Sequence, residues 1–477
     1  YLASQGHKEV SIYQVGDFTD LCAGPHVERS SECAHFKLLS VAGAFWRGDP
    51  KNPQLQRLYG TVWPTQEKLE EFLEIRERAK KNDHRKLGVE LELLHFEPSL
   101  APGIPFWLPK GTILYHILAE KMRKLLYSNG YVEVKTPQLF RKELWETSGH
   151  WKHFKENMFN LEQEDGEILS LKPMNCPSHM VLFKSRRRSY RELPLRIHDQ
   201  GVLFRNEPSG TLGGLTRVRQ FSQDDAHIFV AEDLMEEEIS NLLALVKRVY
   251  QGFNMKLHIE LSTKPQKAMG AAELWEKAES SLTKALEKSA MEFKVSPGEG
   301  AFYGPKIDFM VEDSLKRKHQ CATVQLDFQL PRNFELYFTN AQNRPEIPVV
   351  IHRAIYGSFE RFIGVLIEHF GGHFPLWLAP VQCRVIPVSK KFNDYGQKVV
   401  DLLLKEGLRG EGDFSNERCG AKIRNAELQK IPYMVIVGGR EKESNTVSLR
   451  SYEKGEEGVL SLDQFMERIK KESSFEF

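Results

Sequence analysis

Residues 193–221 read LPLRIHDQGVLFRNEPSGTLGGLTRVRQF, and the organisation of the chain can be worked outward from them. Two strand-like arms flank a glycine-rich loop and place Arg205, Glu207 and Arg217 on or beside one hairpin. An arginine offers a rigid fork of donors to phosphate oxygens, and a nearby glutamate can accept from the amino group of a base. Taken alone, the same residues read more readily as surface charge on a hairpin, which contributes little. The flanks decide the fold. Strand-like runs recur at YVEVKTPQL (131–139), RVRQFSQDDAHIFV (217–230), KIDFMVED (306–313) and ATVQLDFQL (322–330), with helices expected over 231–253 and 272–289. Strands in succession with helices set apart point to a mainly antiparallel sheet in an α+β domain.

Upstream, Ile113, Leu114, Ile117, Leu118, Met122, Leu125 and Leu126 share one helical face, and Asn129-Gly130 supplies its C-cap. Before that, residues 1–63 hold short β-rich stretches broken by Gly and Pro, and Gln66 to Lys86 reads as a charged linker helix with a narrow apolar stripe through Leu69, Phe72 and Leu73. After PLWLAP (375–380) the pattern changes to alternating strands and helices, from CRVIPV (383–388) to a last helix over 462–470, which reads as an α/β unit. The expected domains are therefore 1–63, a linker at 64–90, an α+β domain at 91–378 and the α/β unit at 379–477.

The chain has 477 residues, enough at roughly 150 per domain for about three domains. Lys and Arg total 66 against 65 Asp and Glu, a net charge of +1, so any nucleic acid must be bound by a local face rather than a global field. The longest apolar runs, such as 433–437, are too short to span a bilayer, so no membrane partner is expected. Six scattered cysteines without a CxxC pair suit a reducing compartment, read as the cytoplasm. The chain opens on Tyr1 without a leader, and reads as a fragment whose N-terminal part is missing.

Familiar nucleotide signatures are absent: there is neither GxxxxGK[ST] nor a GxGxxG between strand and helix. A further arginine, Arg361 in AIYGSFERFIG, enters an apolar helix, where a structural ion pair is the plain reading. Cys176 in KPMNCPSH, His227 in QDDAHIF and His352 in VVIHRAIYG have the chemistry of metal ligands, but their spacing is not that of a zinc finger and alone leaves each an ordinary core residue. His369 and His373 have i, i+4 spacing, yet Gly371 and Gly372 between them read as a helix end.

Together, KPMNCPSH, FRNEPSG with RVRQFSQDDAHIF, GEGAFYGPKIDF, TVQLDF and IHRAIYGSFERFIG resemble the threonyl-tRNA synthetases, a family of class II aminoacyl-tRNA synthetases, and the likeness runs the length of the chain. The resemblance implies ATP-dependent ligation of L-threonine to tRNA(Thr) by a homodimer. It implies an antiparallel class II catalytic core, an α/β anticodon-binding domain and part of an editing domain at the N-terminus. YVEVKTPQL with Pro137 matches the dimer-forming motif 1. Arg205 matches the arginine at the α-phosphate, Glu207 the acceptor of the adenine amino group and Arg361 the arginine at the γ-phosphate, with Arg217 and Gln325 also in the ATP site and Mg²⁺ bridging the phosphates. Cys176, His227 and His352 match the ligands of one Zn²⁺ per chain whose open positions take the threonine amine and hydroxyl. Gln223 and Asp225 then lie near the substrate hydroxyl, Tyr303 and Lys306 near its amine and carboxylate, and His150 matches a histidine of the transfer step.

Valine is nearly isosteric with threonine, and an apolar pocket separates such isosteres by only about 10²-fold, so a metal that demands a hydroxyl ligand serves as the discriminator. Serine lacks only a methyl group, worth about 1–3 kcal/mol, and calls for a hydrolytic second sieve. Asp20, Cys22 and His26 in DLCAGPH match part of that editing site; its upstream HxxxH half is absent, so editing of Ser-tRNA(Thr) is expected to be incomplete. Ser178 and Ser222 depart from the family's usual wording, and Ser178 would carry a backbone cost if its turn required positive φ. In the C-terminal unit Asn416, Glu441 and Arg450 match anticodon-contacting positions. A synthetase for another amino acid, proline being nearest, and a synthetase-derived RNA-binding regulator are the rival readings.

Overall fold

The computed structural model describes residues 9–22, 24–46, 49 and 51–477, and the chain divides into two units, 1–78 and 79–477. In the first unit, Ile12–Val15 pairs antiparallel with Phe18–Leu21, and His35–Phe45 with Gln54–Trp63. Helix α1 (Gln66–Lys81) follows. The single linker helix expected through Lys86 is in fact two. Asp83 caps α2 (His84–Glu90), its carboxylate accepting from the Arg85 N–H at 2.9 Å, and so ends one helix and starts the next.

The larger unit is organised by an eight-stranded sheet. In chain order its strands are β1 (Tyr131–Glu133), β2 (Leu195–Asp199), β3 (Asp225–Val230), β4 (Lys256–Ser262), β5 (Phe293–Ser296), β6 (Lys306–Glu312), β7 (Lys318–Asp327) and β8 (Val349–Ala354). Their spatial order is β5-β4-β6-β7-β8-β3-β2-β1. Pairing is antiparallel throughout except at the two ends, where β5 and β1 run parallel to their neighbours.

Because side chains alternate across a strand, the register assigns every residue a face. Ala226, Ile228 and Val230 of β3 share one face with Ile351, Leu326, Val324, Ile307 and Phe309 of their neighbours, all buried in the principal core. Helices α3 (Pro109–Ser128), α5 (Met235–Gly252), α6 (Ala272–Lys288) and α7 (Phe359–Phe370) contribute to that core through Leu118, Val246, Leu282 and Ile363, among others. Between α3 and α5 in the chain lies α4 (Cys176–Lys184), which packs on the opposite face with Met180 and Phe183 against Phe229, Ile197 and Val350. The run expected as one strand over 131–139 is interrupted before Pro137, and Leu139–Arg141 pairs in a separate three-stranded sheet.

The C-terminal region builds a five-stranded sheet, in the order 410–412, 383–387, 433–437, 446–451, 455–461, with its own core around Val399, Leu403, Val435 and Phe465. The strand Gly455–Ser461 and the short helix Gly439–Ser444 were not apparent in the sequence pattern.

Candidate active site

On the face opposite the principal core, Lys306, Gln325, His352, His227 and Ile197 stand directly opposite one another on β6, β7, β8, β3 and β2. One row across five strands thus carries a cation, an amide and two imidazoles. Asp225 is two residues before His227 and Asp327 two after Gln325, so both carboxylates share that face.

Cys176 begins α4, which lies against this face, and its thiol meets the two imidazoles: one ligand atom from each of Cys176, His227 and His352 falls within 4.8 Å of the others. All three are buried. A soft thiolate with two imidazoles suits Zn²⁺, and three protein ligands leave a coordination position open, the pattern of a catalytic zinc. The surroundings hold the ligands in orientation. His352 Nε2 is 3.0 Å from Asp327 Oδ2, and His227 Nδ1 is 2.7 Å from His179 Nδ1, so each ring has one nitrogen engaged by a fixed neighbour. Burial pushes the Cys176 thiol well above its ordinary pKa, with the Asp225 and Asp327 carboxylates adding to the effect; a bound metal reverses that preference.

His150 is also fully buried here, its Nε2 3.8 Å from Cys176 Sγ and 3.1 Å from Met174 Sδ, and its Nδ1 2.8 Å from Ser148 Oγ. Burial, helped by the charges of His352 and Arg205, pulls its pKa down to about 3, so the ring is neutral near pH 7. Asp225 accepts from Asn175 Nδ2 at 3.1 Å. Gln223 bridges to Ser358 just before α7, Tyr303 donates its hydroxyl to Gln325 Oε1, and Lys306 Nζ pairs with Asp308 at 2.8 Å.

Arg205 follows the strand Val202–Phe204, which pairs with Gln220–Ser222. Its guanidinium lies 5.7 Å from the Phe154 ring and 5.0 Å from Phe221, and Nε donates to the Pro173 carbonyl at 3.3 Å. Glu207 and Arg217 face each other across the loop, with guanidinium-to-carboxylate distances of 2.8 and 2.9 Å. Arg361 is different: its Nε is buried without a hydrogen-bond partner, and among the described residues it joins no ion pair, contrary to the plain reading of its sequence context. A buried donor left unpaired is costly, so this group is free to take up an acceptor.

Several residues that serve this site escaped the sequence reading. Asp327 and His179 orient the ligands. Asp224 accepts from the Ile355 and Gly357 N–H groups at 2.8 and 3.0 Å and pairs with the buried Arg353, joining β3 to the β8–α7 turn; burial raises its pKa to about 7. The one available signal was that Asp327 keeps the parity of Gln325. Ser178 lies inside α4 and is not at positive φ, so the backbone cost anticipated there does not arise; its hydroxyl donates to the Asn175 carbonyl at 2.6 Å.

The remaining expected residues lie in the N-terminal unit and in the C-terminal region. Asp20 and Cys22 are exposed, and the His26 ring stacks on Tyr13 at 3.5 Å. Among the described residues these three do not form a metal-compatible group. In the C-terminal sheet Arg450 pairs with Glu427 at 3.1 Å, Glu441 accepts from the Gly438 N–H and Ser448 hydroxyl, and Asn416 is exposed in the loop before Cys419–Leu428.

Three family models match the chain: the tRNA synthetase class II core domain (G, H, P, S and T) at 159–370, an anticodon binding domain at 382–472, and the threonyl and alanyl tRNA synthetase second additional domain at 10–59. The threonine–tRNA ligase of Caldanaerobacter subterraneus subsp. tengcongensis is 51% identical over 465 residues, which is 98% of this chain and 72% of the relative. The chain belongs to the threonine–tRNA ligase family. It is thus a class II aminoacyl-tRNA synthetase that joins threonine to tRNA, and the Cys176/His227/His352 group fits the zinc site of such a ligase. The threonine–tRNA ligase of Thermotoga neapolitana is 49% identical over 97% of the chain and 72% of its own length. Among solved structures, the RNA binding domain of threonyl-tRNA synthetase from Cryptosporidium parvum Iowa II superposes with a TM-score of 0.79 at 44% identity, covering 82% of this chain and 98% of that one. A putative threonyl-tRNA synthetase from Aeropyrum pernix gives 0.71 at 29% identity, over 82% and 96%. Among the described residues no helix is long and apolar enough to cross a membrane.

Proposed function

We propose that this ligase selects threonine with a zinc ion held by Cys176, His227 and His352, and that the row across β6, β7, β8 and β3 is the floor on which the adenylate forms. The observation that carries the reading is the convergence of those three ligand atoms within 4.8 Å on a sheet face that also presents Gln325 and Lys306. Zinc bound there supplies open coordination for the amine and hydroxyl of threonine, which valine cannot match. Asp225 and Gln223 border the hydroxyl side, and Tyr303 and Lys306 the amine and carboxylate.

Adenylation is attack of the threonine carboxylate on the α-phosphorus with pyrophosphate leaving, so alignment and charge stabilisation matter more than a base. Arg205, braced by Phe154 and Phe221, takes the α-phosphate. The unpaired Arg361 Nε gains its missing acceptor from the γ-phosphate, and Mg²⁺ bound with ATP would add further neutralisation of the phosphate charge. Glu207 accepts from the adenine amino group, and Arg217 and Gln325 complete the ATP site. His150, neutral and buried, sits beside the ligand thiol and serves the transfer to the tRNA ribose. Asn416, Glu441 and Arg450 read the anticodon. The catalytic domain spans 91–378 and the anticodon domain 379–477, after the second-additional-domain region 1–63 and a linker at 64–90. Dimerisation uses β1, which lies at the edge of the sheet. Editing of Ser-tRNA(Thr) is incomplete, because Asp20, Cys22 and His26 match only half of the family's editing site and the upstream HxxxH pair is not in this sequence. The ligase works in the cytoplasm.

ATP–pyrophosphate exchange with threonine, valine, serine and proline tests this reading. Threonine and, more weakly, serine should support exchange, and valine and proline should not; exchange with valine comparable to threonine would overturn it.

A further inference from the structure

His84, at the start of α2, lies far in sequence from every residue of the ATP site, yet it is buried between two of the segments that form it. Its Nε2 is 2.9 Å from the backbone N of Leu215, in the loop that joins Glu207 to Arg217. Its Nδ1 is 2.5 Å from Glu368 Oε1, on α7, the helix that carries Arg361. The donor at Leu215 is an N–H, so Nε2 must accept; the ring proton therefore sits on Nδ1 and is donated to Glu368. The same carboxylate oxygen accepts from the His84 backbone N–H at 3.1 Å, and the other oxygen pairs with Arg317 at 2.5 Å, itself held by Asp313 at 2.6 Å.

Although Asp83, His84 and Glu368 bring their ligand atoms within 4.8 Å, both ring nitrogens are already engaged in hydrogen bonds, and the arrangement is a strut rather than a metal site.

The loop is shaped to receive this strut. Gly214 has φ +56°, and a Cβ there would stand 2.2 Å from His84 Nε2, so only glycine lets the ring approach. Next to it, Leu215 is fully buried in the principal core, and Gly213 closes a turn by donating to the Arg217 carbonyl at 3.1 Å while accepting from the Thr216 N–H at 2.9 Å. Fixing Leu215 therefore fixes the backbone that carries Arg217. At the other end of the same segment, the Ser222 N–H donates to Glu360 Oε2 at 3.0 Å. Glu360 and Glu368 are eight residues apart on α7, about 12 Å along the axis at 1.5 Å per residue. The segment that holds Arg205, Glu207 and Arg217 is thus tied at two points to the helix that holds Arg361.

We propose that His84 is a positioning residue for ATP: by bridging Leu215 to Glu368 it holds the Glu207–Arg217 loop at a fixed distance from Arg361, so that adenine and triphosphate are met together. This rests on the ATP-site reading above. It predicts that freeing the loop weakens ATP and leaves threonine binding alone, because the metal ligands are rooted in α4, β3 and β8.

Two conservative variants separate this role from plain structural support. Asn at position 84 can still donate to Glu368 from the place of Nδ1 but is too short to reach Leu215; Gln can place an acceptor near Nε2. In ATP–pyrophosphate exchange, H84N should raise the KM for ATP by about tenfold, as expected when the competent loop conformation falls to about a tenth of the population. The KM for threonine and the melting temperature should stay near wild type, and H84Q should restore most of the ATP KM. An unchanged ATP KM in H84N, equal effects of H84N and H84Q, or a parallel rise in both KM values would overturn the proposal. Arg361→Ala is the control: if that variant keeps full exchange, the ATP-site reading fails, whereas if it loses exchange and H84N does not alter the ATP KM, only the role of His84 fails.

Discussion

The N-terminal hairpins and the eight-stranded sheet use the same alternation of apolar and polar residues, but they leave their functional candidates in opposite conditions. In the hairpins Phe36, Leu38, Val41 and Leu58 are more than 60% exposed. In the sheet the equivalent positions, such as Phe309 and Ile351, are fully buried. Cys22 is an exposed thiol and Cys176 a buried one. A two-stranded ribbon fixes a residue through one neighbour only, whereas each residue of the catalytic row is fixed by strands on both sides, and His227 and His352 also meet Cys176 of α4. Site geometry here follows from how many elements constrain a residue, not from which residue it is.

That contrast can be broken in order of expected effect. Phe309→Ala should cost about 3–5 kcal/mol of stability, and Phe36→Ala, on the ribbon, should stay within about 0.5 kcal/mol; denaturant unfolding of both variants compares them directly. Comparable losses would mean that the ribbon is better supported than its exposure indicates. Arg361→Ala should lower threonine-dependent ATP–pyrophosphate exchange about 10²–10³-fold, the scale of losing one preorganised charge donor, with little change in the unfolding midpoint. Asp327→Asn, which touches His352 and not the substrate, should weaken zinc retention about 10–100-fold in a chelator titration. At the small end, Cys22→Ala should leave threonine activation unchanged, and neither it nor the parent chain should deacylate Ser-tRNA(Thr) briskly; fast hydrolysis that Cys22→Ala abolishes would show that the ribbon residues do gather into a site.

Much of the sheet was legible because its alternation is strict: the parity of Gln325 and Asp327 on β7, and of Asp225 and His227 on β3, can be read directly. Their pairing could not be. Cys176 and His227 are brought together by the packing of α4 on the sheet, and His227 and His352 by antiparallel register, both set by tertiary contacts that no local pattern encodes. The stretch 131–139 was read as one strand because its composition is continuous, but it is interrupted before Pro137 and its far end pairs elsewhere. The strand Gly455–Ser461 was missed because its two glycines and two glutamates resemble a loop; it is ordered by pairing with Thr446–Ser451. His84 lay unnoticed in a charged run, since nothing local shows that Gly214, 130 residues on, leaves room for its ring.

The decisive measurement is the zinc content of the purified chain and of Cys176→Ser, taken beside threonine-dependent ATP–pyrophosphate exchange. The geometry of β3, β8 and α4 predicts about one zinc per chain, lost in Cys176→Ser together with threonine activation. Full threonine-dependent exchange, with valine still excluded, from a chain that holds no zinc would contradict it.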